Sequence, residues 1–288
     1  MLVDKEAKAL IARLTSLARR EFVEHDGRRV CWRGFGAGSP VVLLHGGHGS
    51  WLHWLRNIEA LAAHHAVWVP DLPGYGDSDH PVPNDGLPSL LEPMIATLNR
   101  LVDTDTPIDL VGFSFGGLVA AHVAARRPQV RRLALLGPVG HQGRRRPRGE
   151  LRSWKVAVQS ANASTLDEIM RHNLAMHMLH MAAQDIDPLA VQIHTEACLR
   201  TRFRSKEISR GGGLMAALAQ RRGPSLLAWG EHDVTAEPEI IARALSDRLP
   251  GCHTHFIEGA GHWVQFERAD DINRLLLAWL SADSKDMT

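Results

Sequence analysis

Residues Ile108 to Gly117 read IDLVGFSFGG. An apolar run, Ile108 to Val111, stops at Gly112; Ser114 then stands between two phenylalanines, and Gly116 and Gly117 close the stretch. The run before the serine is strand-like, and Leu118 to Ala125 after it carries a small-residue helical pattern, so a strand passes into a helix through a very tight turn. The pattern GxSxG suits such a turn: side chains at Gly112 and Gly116 would obstruct it, and the hydroxyl of Ser114 is thrust clear of the sheet. An ordinary strand-to-loop serine is the plainer reading of five residues alone. The strand before and the helix after favour an exposed nucleophile.

Working outward, Glu21 to Arg33 alternates and turns at Asp26-Gly27, a hairpin signal. Val41 to Leu44 and Ala66 to Val69 are short apolar runs ending in His45-Gly46-Gly47 and Pro70-Asp71, with helical spacing over Trp51 to Ala63 between them. A helix over about Ser89 to Val102 precedes the GxSxG strand, and Arg132 to Leu136 is the sixth strand. From about His141 to Gln220 only helical patterns occur. Strands resume at Ser225 to Trp229 and His253 to Ile257, with a helix after Pro238 between them and another from about Asp270 to Leu280. Short apolar runs alternating with helices predict an α/β fold, eight strands in a mostly parallel sheet covered on both faces. Three segments follow: residues 1–140 form the first part of the core, with an N-terminal amphipathic helix over 1–20; residues 141–220 form a helical cap; and residues 221–288 complete the core. Because the insertion leaves and re-enters where strands end, it is expected to cover the ligand site as a lid.

The whole chain narrows the function classes. It has 288 residues, 44% hydrophobic, and a formal net charge of +1, which gives no global argument for nucleic acid or an anionic membrane. Charges at Asp4, Lys5, Glu6 and Lys8 break up any secretory signal, and no run reaches the roughly 18 apolar residues that span a bilayer. Cys31, Cys198 and Cys252 are far apart and without metal-ligand spacing, so they read as free thiols in a reducing, cytoplasmic setting. The expected partner is a small-molecule substrate, with no nucleic acid and no membrane; a homo-oligomer is left open.

A serine hydroxyl needs a base to take its proton, and the base needs a carboxylate to orient it. Position selects among the 17 histidines. His262, in Gly259-Ala260-Gly261-His262 after the last strand, is the expected base, and Asp233, in Gly230-Glu231-His232-Asp233 after the preceding one, the expected carboxylate. Glu231, Asp79 and Glu237 are its rivals. The glycines of His45-Gly46-Gly47-His48-Gly49 let backbone N–H groups approach a ligand, so Gly47 and Phe115 are the expected oxyanion donors. The loop lacks a lysine at P-loop spacing, and neither glycine cluster completes GxGxxG, so nucleotide readings fail. No metal and no cofactor are expected: the histidines around His45 to His65 and His172 to His180 lack a carboxylate at a recognised ligand spacing. Met176, Met178 and Met181 read as an adaptable apolar wall of the pocket. Arg144, Arg145, Arg146 and Arg148 read as a solvated loop at the cap hinge, in preference to an anion-recruiting patch.

HGG after the third strand, DLPGYGDSD after the fourth, GFSFGG, WGEHD and GAGHW, in that order over nearly the whole chain, resemble the α/β-hydrolase superfamily. The tail GHWVQFERADDINRLLLAWL, the HGG loop and the cap placement are most similar to the meta-cleavage product hydrolases, which split a carbon-carbon bond in dienoates from aromatic ring fission. That resemblance implies substrate contacts from His48, His53, Phe113 and Trp263, and a substrate-carboxylate arginine at Arg202, or at Arg200 if the register slips. This chain departs from that group at Phe113, where it usually has a small polar residue, and at His53, where it tends to have asparagine. Hydrolysis of a small, largely apolar carboxylic ester by a serine hydrolase is therefore the leading expectation, with carbon-carbon cleavage second. A non-catalytic ligand receptor is the alternative from another class, and it has no physical need for nucleophile, base and carboxylate together.

Overall fold

The computed structural model describes residues 2–81 and 86–282; residue 1, residues 82–85 and residues 283–288, the end of the segment assigned to the second part of the core, lie outside the described residues. The strands are β1 (Arg19–His25), β2 (Arg28–Phe35), β3 (Pro40–Leu44), β4 (Ala66–Pro70), β5 (Ile108–Phe113), β6 (Val130–Leu136), β7 (Ser225–Gly230) and β8 (Cys252–Ile257). They make one eight-stranded sheet ordered β1-β2-β4-β3-β5-β6-β7-β8. The β1–β2 and β2–β4 pairs are antiparallel and the rest are parallel, which gives the α/β-hydrolase fold.

Alternation along each strand feeds two apolar layers. Val41, Leu43, Val111 and Phe113 face one side, where α1 (Leu2–Leu17), α2 (Ile58–Ala62) and, at the far end of the chain, α12 (Ala269–Ser281) pack. Val42, Leu44, Ile108 and Leu110 face the other, beneath α3 (Gly86–Leu101) and α4 (Phe115–Arg126). Burial on both faces is why these strands read as continuous apolar runs. The order reverses at β3, whose neighbours are β4 on one side and β5 on the other. The helices after β3 and β5 thus go to opposite faces and open a crevice at the carboxyl ends, where the loop after β3 meets the turn after β5.

Between β6 and β7 lie α5 (Lys155–Gln159), α6 (Ala163–His177), α7 (Pro188–Leu199), α8 (Lys206–Gly211) and α9 (Leu214–Ala219). Residues 138–154 before them have no regular secondary structure. Pro138 and Pro147 remove backbone donors there, and the run from Arg144 to Arg148 concentrates like charge. At the other end, α9, grouped with the cap on sequence grounds, packs on α4 of the core. The helix expected over Trp51 to Ala63 is broken: a 3-10 turn at Trp51–Trp54, capped by the Ser50 hydroxyl accepting from the Leu52 amide, is separated from α2 by residues 55–57. The remaining helices are α10 (Pro238–Ser246) and the single turn α11 (Val264–Glu267). No helix among the described residues is long and apolar enough to cross a membrane.

Candidate active site

The turn after β5 is the tightest point of the sheet. Ser114 has φ 54° and ψ −116°, a backbone conformation costly for any residue with a Cβ. Neighbouring glycines make room for it: a Cβ on Gly112 would fall 2.7 Å from the Ala120 Cβ, and one on Gly116 would strike the carbonyls of Leu44 and His45. The strain has a geometric result, because it aims the Ser114 hydroxyl toward the loop after β8.

There His262 completes a continuous hydrogen-bonded chain. The Ser114 Oγ–H donates to His262 Nε2 at 2.9 Å, and the His262 Nδ1–H donates to Asp233 Oδ2 at 2.8 Å. Both His262 and Asp233 are buried. Burial would raise the Asp233 carboxyl, but the charge of His262 and hydrogen bonds from His262 and Thr235 outweigh it, so the group lies below its usual range. The other Asp233 oxygen, Oδ1, accepts from the Thr235 amide at 2.7 Å and the Thr235 hydroxyl at 2.8 Å. Gly137, at φ 50°, permits the pair: a Cβ there would lie 3.0 Å from both Asp233 Oδ2 and His262 Nδ1. Glu267 holds the His262 loop from behind, accepting from the Gly261 amide and, across the gap to the helical insertion, from the His180 amide, each at 2.7 Å.

The rival carboxylates are used elsewhere. Glu231 accepts from the Gly259 amide, Asp79 pairs with Arg29, and Glu237 pairs with Arg144. On the opposite side of Ser114, the Gly47 and Phe115 amides have no acceptor among the described residues; Phe115 opens α4, where an N–H lies outside the intrahelical ladder. Two such donors flanking a serine hydroxyl form a cradle that suits an oxyanion.

A cavity of about 350 Å³ opens above Ser114. Gly47, His48, Phe113 and Phe115 line it from the core, and His177, Met178, His194 and Cys198 line it from the insertion. Burial lowers His48, His177 and His194, the latter two to about 3 and about 4, so these imidazoles are neutral near pH 7. The histidines of the wall are therefore uncharged, and His177 lies over the His262 ring with centroids 5.8 Å apart.

Three residues expected to touch substrate do not line this cavity. Arg202 turns away; its guanidinium donates to the carbonyls of Gly76, Ser78 and Arg200, which ties α8's approach to the loop after β4. Arg200, the alternative, is ion-paired with Asp77. His53 is sealed between Phe113 and Trp263, its Nδ1 accepting from the Gly46 amide at 3.3 Å. Trp263 lies beneath the histidine loop, stacked on Phe266 and donating through Nε1 to the His53 carbonyl. Of the methionines, Met178 lines the cavity and Met170 enters the core. Sequence reasoning missed Thr235, Gly137, Glu267 and His177; the Asp-x-Thr spacing of 233 and 235 is the one local signal among them, being the geometry of a side-chain-capped turn.

Among the described residues, Cys31, Asp71 and Asp77 bring three ligand-type atoms within 4.8 Å. Arg33 bridges both carboxylates, Arg20 and Arg200 join Asp77, and burial raises the Cys31 thiol. Guanidinium groups thus already neutralise that donor set. Replacing Thr235 by valine removes one donor from the Asp233 carboxylate and keeps the shape. The expected result is a roughly fivefold lower kcat of hydrolysis with little change in KM, in line with about 1 kcal/mol for a lost buried hydrogen bond. An equal rise in KM would instead mark a pocket defect.

A serine at a strained strand-to-helix turn, joined to an imidazole and a carboxylate from the ends of two later strands of a doubly covered sheet, defines the class: an α/β-hydrolase architecture. A family model described as the alpha/beta hydrolase fold matches residues 39–269, and the chain belongs to that family. It is 30% identical over 271 residues to the dihydrolipoyllysine-residue acetyltransferase component of the acetoin cleaving system of Pseudomonas putida, covering 89% of this chain and 68% of that protein. It is 28% identical over 261 residues to a 2-hydroxy-6-oxo-2,4-heptadienoate hydrolase of Pseudomonas putida strain F1, covering 86% of this chain and 91% of that one. In structure it resembles a carboxylesterase of Bacillus subtilis, with TM-score 0.73 at 19% identity, over 98% of this chain and 99% of the other.

Proposed function

We propose that this protein is a serine hydrolase acting on the carboxylic ester of a small acyl compound. The observation that carries the reading is the unbroken chain from Ser114 through His262 to Asp233 beside two unpaired amides. Ser114 attacks the carbonyl as His262 takes its proton; Asp233 stabilises the imidazolium, and the amides of Gly47 and Phe115 hold the oxyanion. His262 then protonates the leaving alcohol, and water, activated by the same imidazole, releases the acid. No step calls on a group outside the chain. A fluorophosphonate probe is expected to label Ser114 stoichiometrically and to block turnover of 4-nitrophenyl esters. An unlabelled serine in folded protein would remove the reading.

Cleavage of a carbon-carbon bond in a dienoate is the second reading, favoured by the similarity to the heptadienoate hydrolase over 86% of the chain. Phe113 stands in the cavity wall where that reading expects a small polar residue, and Arg202 is engaged by carbonyls away from the cavity, so ester hydrolysis stands first. Hydrolysis of an aryl dienoate faster than of any short-chain ester would reverse that order.

A further inference from the structure

Most arginines of this protein are spoken for. Arg13, Arg33, Arg56, Arg131 and Arg274 pair with carboxylates, and Arg127 and Arg221 are bound up in carbonyls. The mouth of the cavity above Ser114 differs. Arg145, Arg148, Arg152, Lys155, Lys206 and Arg210 line it, with no carboxylate among the lining residues. Among the described residues the side chains of Arg145, Arg152, Lys155, Lys206 and Arg210 have no hydrogen bond or ion pair, and Arg148 reaches only the Gly149 carbonyl.

Two local features gather them. In the irregular segment after β6, Arg144 pairs with Glu237 and Arg146 donates to the Glu231 carbonyl, which anchors the segment to the core; the intervening Arg145, and Arg148 beyond, turn to the cavity. In α8, Lys206 and Arg210 are four apart and share a face, with Ser205 and Ser209 on the same wall. Arg145 is pushed down first by burial and then by the nearby charge of Arg210, and Arg148 is close enough to push His177 down. Like charges drawn together over a neutral pocket wall are unfavourable unless an anion joins them.

We propose that the mouth of the cavity is an anion subsite, built on Arg145 and Arg210, that selects acyl substrates bearing a carboxylate or phosphate remote from the scissile bond. The proposal rests on the hydrolase reading for its kinetics; it gives the exposed Arg145 and Arg148 a role beyond a solvated loop and takes the carboxylate role from Arg202. Guanidinium pairs bind such groups through two parallel hydrogen bonds.

The test compares mono-4-nitrophenyl glutarate with the neutral 4-nitrophenyl butyrate. The wild type is expected to favour the glutarate by about tenfold or more in kcat/KM, a preference that shrinks at high salt. The Arg145→Gln/Arg210→Gln double variant brings the ratio to about one, and Arg243→Gln, on the exposed face of α10 and outside the cavity, keeps it. A wild-type ratio near one, or a preference that survives the double variant, overturns the proposal. Glutarate and inorganic phosphate, tested as inhibitors, separate the two anion sources. Their binding is also followed by the fluorescence of Trp154, which lines the cavity. Should Ser114 prove unreactive, saturable quenching lost in the double variant upholds the subsite, and no quenching by either anion rejects it.

Discussion

Ser114→Ala is expected to lower kcat/KM on any accepted ester by about 10⁵ to 10⁶-fold, and Asp233→Asn by about 10⁴-fold, because the relay acts as a unit and each loss disables the rest. The two variants should differ in kind. Ser114→Ala removes the attacking oxygen and leaves the His262–Asp233 pair intact, so substrate binding should persist. Asp233→Asn can keep an oxygen toward both donors of Thr235 but turns an amide N–H toward His262 Nδ1, which holds the imidazole in the tautomer whose Nε2 already carries a proton. Stability adds a second readout at Ser114. With φ at 54° the strain belongs to the Cβ, which alanine keeps and glycine lacks. Ser114→Ala should therefore melt close to the wild type. Ser114→Gly should be at least as stable as the alanine variant despite the extra freedom of its unfolded chain. Retained ester turnover in purified Ser114→Ala, free of contaminating activity, would exclude this serine as the nucleophile.

What could be read in the sequence followed from constraints that are local. The inner strands β3 to β7 were legible because they are buried on both faces, and the turn at Ser114 because nothing but glycine fits at 112 and 116. Asp233 and His262 could be found because strand ends are few and chain order restricts the choice. The basic mouth of the cavity was hidden for the opposite reason. In an extended segment neighbouring side chains point to opposite sides, so whether Arg144 or Arg145 meets the cavity depends on how the segment is pinned, here by Glu237 and the Glu231 carbonyl. Arg202 misled in the same way: the family resemblance implied a substrate contact, but the carbonyls of Gly76, Ser78 and Arg200 engage its guanidinium instead. The break within Trp51 to Ala63 was equally invisible, since apolar spacing continues across it and only packing against α11 and β3 separates the two turns.

The buried histidines give the largest expected effect on stability. His45 and His194 are lowered to about 4 and His177 to about 3, and His53 lies well below its ordinary value, in each case chiefly by burial. His45 has a structural reason to remain neutral: its Nε2 accepts from the Leu72 amide at 2.9 Å while Nδ1 faces the Gly46 carbonyl at 2.8 Å, joining the loops after β3 and β4. For all four, the unfolded chain binds a proton near pH 6.5 and the folded chain does not until pH is much lower. Their contribution is therefore fully present above pH 6.5 and is lost as pH falls from 6.5 toward about 4. Each such group removes on the order of 1 kcal/mol per pH unit in that window, so the four together remove several kcal/mol per pH unit from a total stability on the order of 5–15 kcal/mol. Urea unfolding should show a midpoint steady above pH 7 that falls steeply below pH 6, with spontaneous unfolding before pH 4. Carboxylates held low, such as Asp233 and Asp77, lose their contribution only as pH falls below about 4, so they cannot produce a decline that begins near 6. His177→Gln and His194→Gln should each flatten the slope by about a quarter. A midpoint unchanged between pH 7 and 5 would mean that these imidazoles reach water in the folded state, and with it that the cavity wall is wetter and more charged than its packing implies.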